Sequence, residues 1–194
     1  MIEKEYKILL SSFQYEKIKQ ILEFSEFREQ NNYYYETELF ELVNKGLTTR
    51  IRAVRDEYLF QIKNKLKNKV HGVTTKEEFE QSIKEIPKVI EVEKIENILG
   101  FKLNIDSKYA YNIGVLNTKR YICYMNDCEI ALDKNEYLGK TDFELEIEFC
   151  ENESQALDII DSLNLDKTMS PVGKYKRFLL EKMKHQKKVI EKYE

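Results

Sequence analysis

Residues 143–149 read FELEIEF, an unbroken period-two alternation with Glu144, Glu146 and Glu148 on one face and Phe143, Leu145, Ile147 and Phe149 on the other. Such a strand has an apolar face to bury and a row of like charges to accommodate. Same-face neighbours lie about 7 Å apart, so at an effective dielectric near 20 each adjacent ionised pair costs roughly 2 kcal/mol unless cations neutralise it. The row therefore needs either open water or a set of basic side chains facing it.

Basic strands are present in the same chain. Arg50 and Arg52 alternate with Ile51 and Ala53, and Gln61, Lys63 and Lys65 oppose Phe60 and Ile62. At the N-terminus Glu3, Glu5 and Lys7 oppose Ile2, Tyr6 and Ile8, with Lys4 as the exception on the apolar side. A mixed strand sets Lys76, Glu78 and Glu80 against Phe79, and two later strands carry Arg120 and Asp133. Taken singly, each fits a half-buried antiparallel strand with its polar face in solvent. Together they sort charge sign by strand, whereas solvent faces usually mix Thr, Ser and opposite charges across neighbouring strands.

The totals agree with an internal role for charge. The 194 residues hold 32 Lys and Arg against 35 Asp and Glu, 35% charged yet only −3 in balance, while 42% apolar residues suffice for one sizeable core and exclude disorder. A sequence pI of 5.7 argues against a nucleic-acid surface, which usually lies above about 9. No run approaches 18 apolar residues and the opening MIEKEYK lacks a signal-peptide core, so no membrane association and a cytoplasmic location are expected. Three cysteines without CxxC spacing and two distant histidines, His71 and His185, disfavour a disulfide framework or a zinc site. A metal here would be a hard cation on carboxylate oxygens: magnesium, manganese or calcium.

Eight strands are expected, near residues 2–9, 31–38, 47–55, 57–65, 73–82, 115–126, 129–134 and 143–150, joined in part by short hairpin turns. Helical spacing marks residues 12–24 after a Ser-Ser cap signal, a segment from Pro87 to a stop at Gly100, a segment opening at Ser154, and a last helix from about Lys174. A short helix is read at residues 107–112. Few glycines and prolines and no repeat leave one domain as the default. The fold class is α+β, one antiparallel sheet with helices available for its apolar face, and eight strands are enough to close into a barrel with a polar interior. A ligand that suits both signs of charge is a metal-chelated polyphosphate: Arg and Lys bind phosphate oxygens, and carboxylates hold divalent ions.

The ordered set of motifs resembles the CYTH domains, the triphosphate tunnel metalloenzymes. Glu3-Lys4-Glu5-Tyr6-Lys7 resembles their ExExK signature. YYYET at residues 33–37 is similar to their Tyr-aromatic-Asp-Thr segment with Glu36 in place of Asp, and LTTRIRAVR to their RxR strand. FQIKNK, KEEFE, TKRY, ALDKNEYLGKTDFELEIEF and GKYKRF follow in the family's order, the last with Gly173 where many members have Ser. The resemblance implies an eight-stranded closed tunnel with helices outside, over residues 1–182, with residues 183–194 as a helical tail. It also implies binding of a triphosphate with Mg2+ or Mn2+ and its hydrolysis or transfer, as in inorganic triphosphatases, thiamine triphosphatases and class IV adenylyl cyclases.

By the same resemblance Arg50, Arg52, Lys63, Lys65, Lys76, Arg120, Lys174 and Arg177 bind substrate phosphates. Glu3, Glu5, Glu144, Glu146 and Glu148 hold metal, and Glu78, Glu80 and Asp133 hold metal or form internal salt bridges. Lys7 orients a phosphate or the attacking water, with Glu5 and Glu146 beside it at the reacting centre. The expected partner is a triphosphate-containing small molecule, not a nucleic acid, and inorganic tripolyphosphate is favoured because no purine- or thiamine-reading motif stands out. Monomer and homodimer both remain open, as does a noncatalytic polyphosphate- or nucleotide-binding module. The lysines of residues 63–69 read as a solvated hairpin end with only Lys63 and Lys65 inside, and Tyr33, Tyr34 and Tyr35 read equally as packing or as base-stacking groups.

Overall fold

In the computed structural model, which describes residues 2–65, 74–150, 152–166 and 172–193, the strands are β1 (Ile2–Leu10), β2 (Glu26–Glu36), β3 (Leu47–Val54), β4 (Glu57–Lys65), β5 (Thr74–Ile83), β6 (Val89–Glu91), β7 (Tyr109–Met125), β8 (Cys128–Tyr137) and β9 (Lys140–Glu148). The helices are α1 (Ser12–Ile21), α2 (Glu41–Asn44), α3 (Val92–Leu99), α4 (Glu153–Ser162) and α5 (Lys174–Tyr193). The expected hairpin end around His71 and the tail lysines Lys187 and Lys188 lie outside the residues whose side chains are described.

All pairings are antiparallel, in the order β2-β3-β4-β5-β1-β9-β8-β7-β6, and β2 also pairs with β7, which links the two ends of the eight long strands. β2 and β7 share a register from Glu26↔Ile122 to Glu36↔Tyr111, and among the described residues β1 and β5 pair from Ile2↔Glu77 to Glu5↔Thr74. On its other side β1 pairs with β9, from Glu5↔Glu148 through Leu10↔Phe143. The sheet is a strongly curled half-barrel, less completely closed than the expected tunnel.

Two corrections follow from local pairing. The helix expected from Pro87 begins only at Val92, because residues 89–91 form β6 against Tyr109–Tyr111 and bury Ile90; its stop at Gly100, in the left-handed region at φ 77°, is as expected. Residues 107–112 are not helical, since from Tyr109 onward they are the start of β7, where Ala110 is buried between exposed Tyr109 and Tyr111. α1 is closed by a capping box in which Ser11 and Gln14 satisfy each other's backbone N–H.

The outward face carries the apolar core. Tyr6, Ile8, Ile130, Leu132, Leu145 and Ile147 pack under α1 and α4, and Ile51, Phe60 and Ile62 pack with Leu42 of α2 and Ile95 and Leu99 of α3. Each fully buried side chain of this kind stabilises the fold by about 1.5–3 kcal/mol. Ion pairs on the inner face contribute far less net, because desolvation offsets their attraction. α5 differs from the other helices: its Tyr175, Phe178 and Leu179 meet Tyr34, Leu116 and Tyr137, which share the inward phase of the charged residues. The start of α5 therefore fills one end of the concave face.

Gly114 is required at this end. Its φ is 139°, and a Cβ there would stand 2.8 Å from Cζ of Phe178, which is itself fully buried. Gly114→Ala is expected to lower the unfolding free energy by about 2–3 kcal/mol, measured by denaturant titration; a change within 0.5 kcal/mol would contradict this packing.

Candidate functional site

The concave face gathers the charged side chains of seven strands and α5. On the β8–β9 side, Asp133, Glu144 and Glu146 each present an oxygen within 4.8 Å of the others. Register explains the grouping, since Asp133 lies opposite Glu144, and Glu146 opposite Lys7. Lys174 enters from the first turn of α5 with its Nζ 2.6 Å from Asp133 Oδ2, 2.8 Å from Glu144 Oε1 and 2.7 Å from Glu146 Oε1. Arg120 grips Asp133 in bidentate fashion at 2.8 and 2.6 Å and reaches Glu146. Lys7 bonds to both Glu5 and Glu146, Lys76 holds the other Glu5 oxygen at 2.7 Å, and Arg177 spans Asp142 at 3.0 Å and Glu144 at 2.7 Å.

Across the face, cations are less fully neutralised. Lys63 pairs with Glu78 at 3.1 Å; Arg50 donates through Nε to Gln61 at 2.8 Å and lies 3.9 Å from Glu78, leaving its buried Nη2 without a hydrogen bond. Arg52 has no ion pair among the described residues and donates only to Asn32, at 3.3 Å. Burial, together with Arg50 and Arg120 nearby, pulls its pKa down from 12.5 to about 9. In a group that seldom gives up its proton, that direction measures unmet demand for an anion.

The carboxylates divide. Burial opposes ionisation of Glu5, but Lys7 and Lys76 overcome it and hold the pKa at about 2; Lys174, Lys7 and Arg120 likewise outweigh burial and keep Glu146 well below the ordinary range. Glu144 goes the other way. Burial dominates, Glu146 adds repulsion, and the nearby cations do not compensate, so its carboxyl is pushed up. Neither Glu144 oxygen accepts a well-directed hydrogen bond although both lie beside cations. An all-oxygen donor set with two underused buried oxygens fits a hard divalent cation, with Asp133, Glu144 and Glu146 as the residues to hold it.

The remaining sequence candidates spread around this centre. Glu80 accepts from Gln61 and is exposed, and Lys65 is exposed at the end of β4. Glu148 is half-buried, opposite Glu5 on one side and Glu129 on the other. Glu3 lies in β1 opposite Lys76, and its side chain is outside the described residues. Sequence reasoning missed Asp142, which continues the phase of Glu144 and Glu146 and binds Arg177, Tyr137 and Asn135. It was readable from that phase, but β9 begins at Lys140, earlier than its apolar alternation indicates. The inward amides Asn32 and Asn135 were also missed, for alternation alone does not separate them from solvent-facing polar residues, whereas Gln61 sits on the face its alternation with Phe60 and Ile62 indicates.

Comparison with known proteins gives this geometry its context. The sequence model of the CYTH domain matches residues 1–174. The chain belongs to the CYTH family. It is 27% identical over 161 residues to "Putative triphosphatase YjbK" of Bacillus subtilis (strain 168), covering 76% of this chain and 77% of that protein. Among solved structures it is similar to a protein of Bacillus halodurans described as a putative adenylate cyclase (23% identity, 90% of this chain and 95% of that one, TM-score 0.67). It is also similar to a Hippeastrum protein described as a putative adenylyl cyclase with a dominant triphosphatase activity (18% identity, 91% and 94%, TM-score 0.70). At these identities the two structures establish the CYTH fold alone.

Two outcomes follow from the electrostatics. Glu5 and Glu146 have folded-state pKa values below the ordinary 4.5, so the stability they contribute is present above that value and is lost as pH falls through their folded-state values, about 2 for Glu5. Metal-free protein should therefore lose unfolding free energy from about pH 4.5 downward, checked by urea titrations at stepped pH. Glu144 has the opposite sign, and Glu144→Gln should leave the metal-free melting temperature at pH 7 unchanged or higher, despite removing a charge that touches two cations; a loss above about 2 kcal/mol would contradict the assignment.

Proposed function

We propose that this CYTH protein hydrolyses a triphosphate, with inorganic tripolyphosphate as its best substrate and Mg2+ or Mn2+ as cofactor. One observation carries the reading: a single concave face holds anion-seeking arginines, Arg50 and Arg52, opposite a carboxylate cluster, Asp133, Glu144 and Glu146, which is itself paired with Lys174 and Arg120. Simple anion capture requires only the basic half.

In this reading Arg50, Arg52 and Lys63 bind the non-reacting phosphates, while Arg120, Lys174 and Arg177 face the phosphoryl group being transferred and stabilise charge on its oxygens. Asp133, Glu144 and Glu146 hold the cation, which when bound supplies charge neutralisation and a lowered pKa for coordinated water. Lys7, fixed between Glu5 and Glu146, is placed to orient a terminal phosphate or the attacking water. Glu78 beside Lys63 and Arg50, Lys76 on Glu5, half-buried Glu148 and the exposed Glu80 and Lys65 tune the field around the substrate.

Inorganic tripolyphosphate is favoured because the aromatic groups offered by β2 for stacking are otherwise engaged. Tyr34 is buried against Tyr175 and Phe178, and Tyr35 is buried in the outer core with its hydroxyl donating to the Pro87 carbonyl. The uncharged polar groups on this face include the amides of Asn32, Gln61 and Asn135 and the Thr118 hydroxyl. The test is phosphate release from tripolyphosphate, ATP and thiamine triphosphate with Mg2+ or Mn2+, with cyclic AMP measured in parallel. Tripolyphosphate should give the highest kcat/KM, cyclic AMP formation would assign a cyclase, and no turnover of any compound would refute the enzyme reading. Glu146→Gln is expected to cut kcat by about 10²–10³-fold, whereas Arg52→Ala should chiefly raise KM, by about tenfold; unchanged kinetics in both would remove these residues from the site.

A further inference from the structure

Glu36, at the end of β2, lies outside the charged cluster, yet it is fully buried and accepts four hydrogen bonds. Its Oε1 takes the backbone N–H groups of Thr37 and Leu42, both at 2.9 Å, and its Oε2 takes that of Val43 at 3.0 Å. These three bonds tie the chain entering α2 to the end of β2 and account for a local structural role. The fourth does not. Oε2 also accepts the Tyr175 hydroxyl at 2.7 Å, across 139 positions of sequence, and Tyr175 is 7% exposed.

Tyr175 follows Lys174 directly and precedes Arg177 by two positions, all in the first turn of α5. Its ring lies 4.8 Å from that of Tyr34, and Phe178 lies 5.2 Å from Tyr34, so the aromatic side of this turn is packed while the hydroxyl fixes how the turn is rotated. Lys174 and Arg177 project from the same turn onto Asp133, Glu144, Glu146 and Asp142. A small rotation of α5 would move both cations together, because both side chains spring from its first turn; Arg177 also donates to the Val172 carbonyl just before that turn, at 2.7 Å. Aromatic packing tolerates such sliding better than a buried, charge-assisted hydrogen bond does.

We propose that Glu36 is a positioning residue that acts through the Tyr175 hydroxyl to set the placement of Lys174 and Arg177 at the carboxylate cluster. The inference rests on the triphosphatase reading for its consequence in turnover, and on geometry alone for its consequence in α5. Glu36 thus couples the β2–α2 corner to the helix that fills the end of the concave face, and the acidic position of the YYYET segment serves the reacting centre without touching it.

The test compares full-length wild type with Tyr175→Phe, Glu36→Gln and the double variant, by kinetics on tripolyphosphate with Mn2+ and by amide hydrogen exchange. Tyr175→Phe removes only the long-range bond and leaves the α2 corner intact, so it remains informative if Glu36→Gln folds poorly. Each single variant should lose about tenfold in kcat/KM, mostly in kcat, and the double variant should lose no more than the worse single one, as expected for two ends of one interaction. Exchange in the first two turns of α5 should quicken in all three variants while α1 and α4 stay unchanged. Additive losses, or kcat/KM within twofold of wild type in Tyr175→Phe, would overturn the proposal. If wild type cleaves no triphosphate, the functional reading fails separately, and calorimetric binding of inorganic tripolyphosphate decides: a tenfold weaker affinity in Tyr175→Phe supports positioning, and equal affinity, or no binding by wild type, overturns it.

Discussion

The row of carboxylates on β9 is the constraint to which the rest of the inner face responds. Glu144 and Glu146, with Asp133 beside them on β8, are too buried to rely on solvent, and at an effective dielectric near 20 their mutual repulsion costs about as much as one well-buried aliphatic side chain contributes. Lys7 comes from β1, Arg120 from β7, and Lys174 and Arg177 from α5. Three separate parts of the chain are drawn to the same few oxygens. The strands that supply them can be so highly charged because their opposite faces are apolar and packed under helices.

Neutralisation by the chain's own cations is incomplete in an instructive way. Glu144 stays poorly served in spite of Lys174 and Arg177, and among the described residues Arg52 has no ion-paired carboxylate. The two deficits have opposite sign and lie on opposite sides of one concave surface. A ligand that brings a cation to the first and an anion to the second satisfies both, which is the chemical case for a metal-bound triphosphate over either component alone. The near-zero total charge of the protein is the sum of these opposed sets and by itself reveals little about partners.

The inner face was legible wherever strict alternation exposed it: the phases of β1, β3, β4, β5 and β9 set Glu5, Lys7, Arg50, Arg52, Lys63, Glu78 and Glu146 on the charged faces of their strands. Sequence failed where a tertiary partner decided the local state. Ile90 fits a helical stripe as well as a strand, and pairing with β7 selects the strand; residues 107–112 read as a short helix, and the partner strands β6 and β2 make 109–112 the start of β7. Lys174 and Arg177 came from motif resemblance and helical spacing, but nothing in their spacing reveals that Lys174 touches three carboxylates at once. Glu36 differs from these, since its bond to Tyr175 leaves no trace in either periodicity or local composition.

The most direct measurement of the central claim is calorimetric titration of the metal-free protein with Mn2+ alone, with tripolyphosphate alone, and with each in the presence of the other. Because the chain's own charges already partly satisfy each other, the account predicts weak binding of Mn2+ alone and at least a tenfold mutual enhancement of affinity when both are present, equal in the two directions as linkage requires. Independent binding of the two, or tight Mn2+ binding without tripolyphosphate, would contradict it.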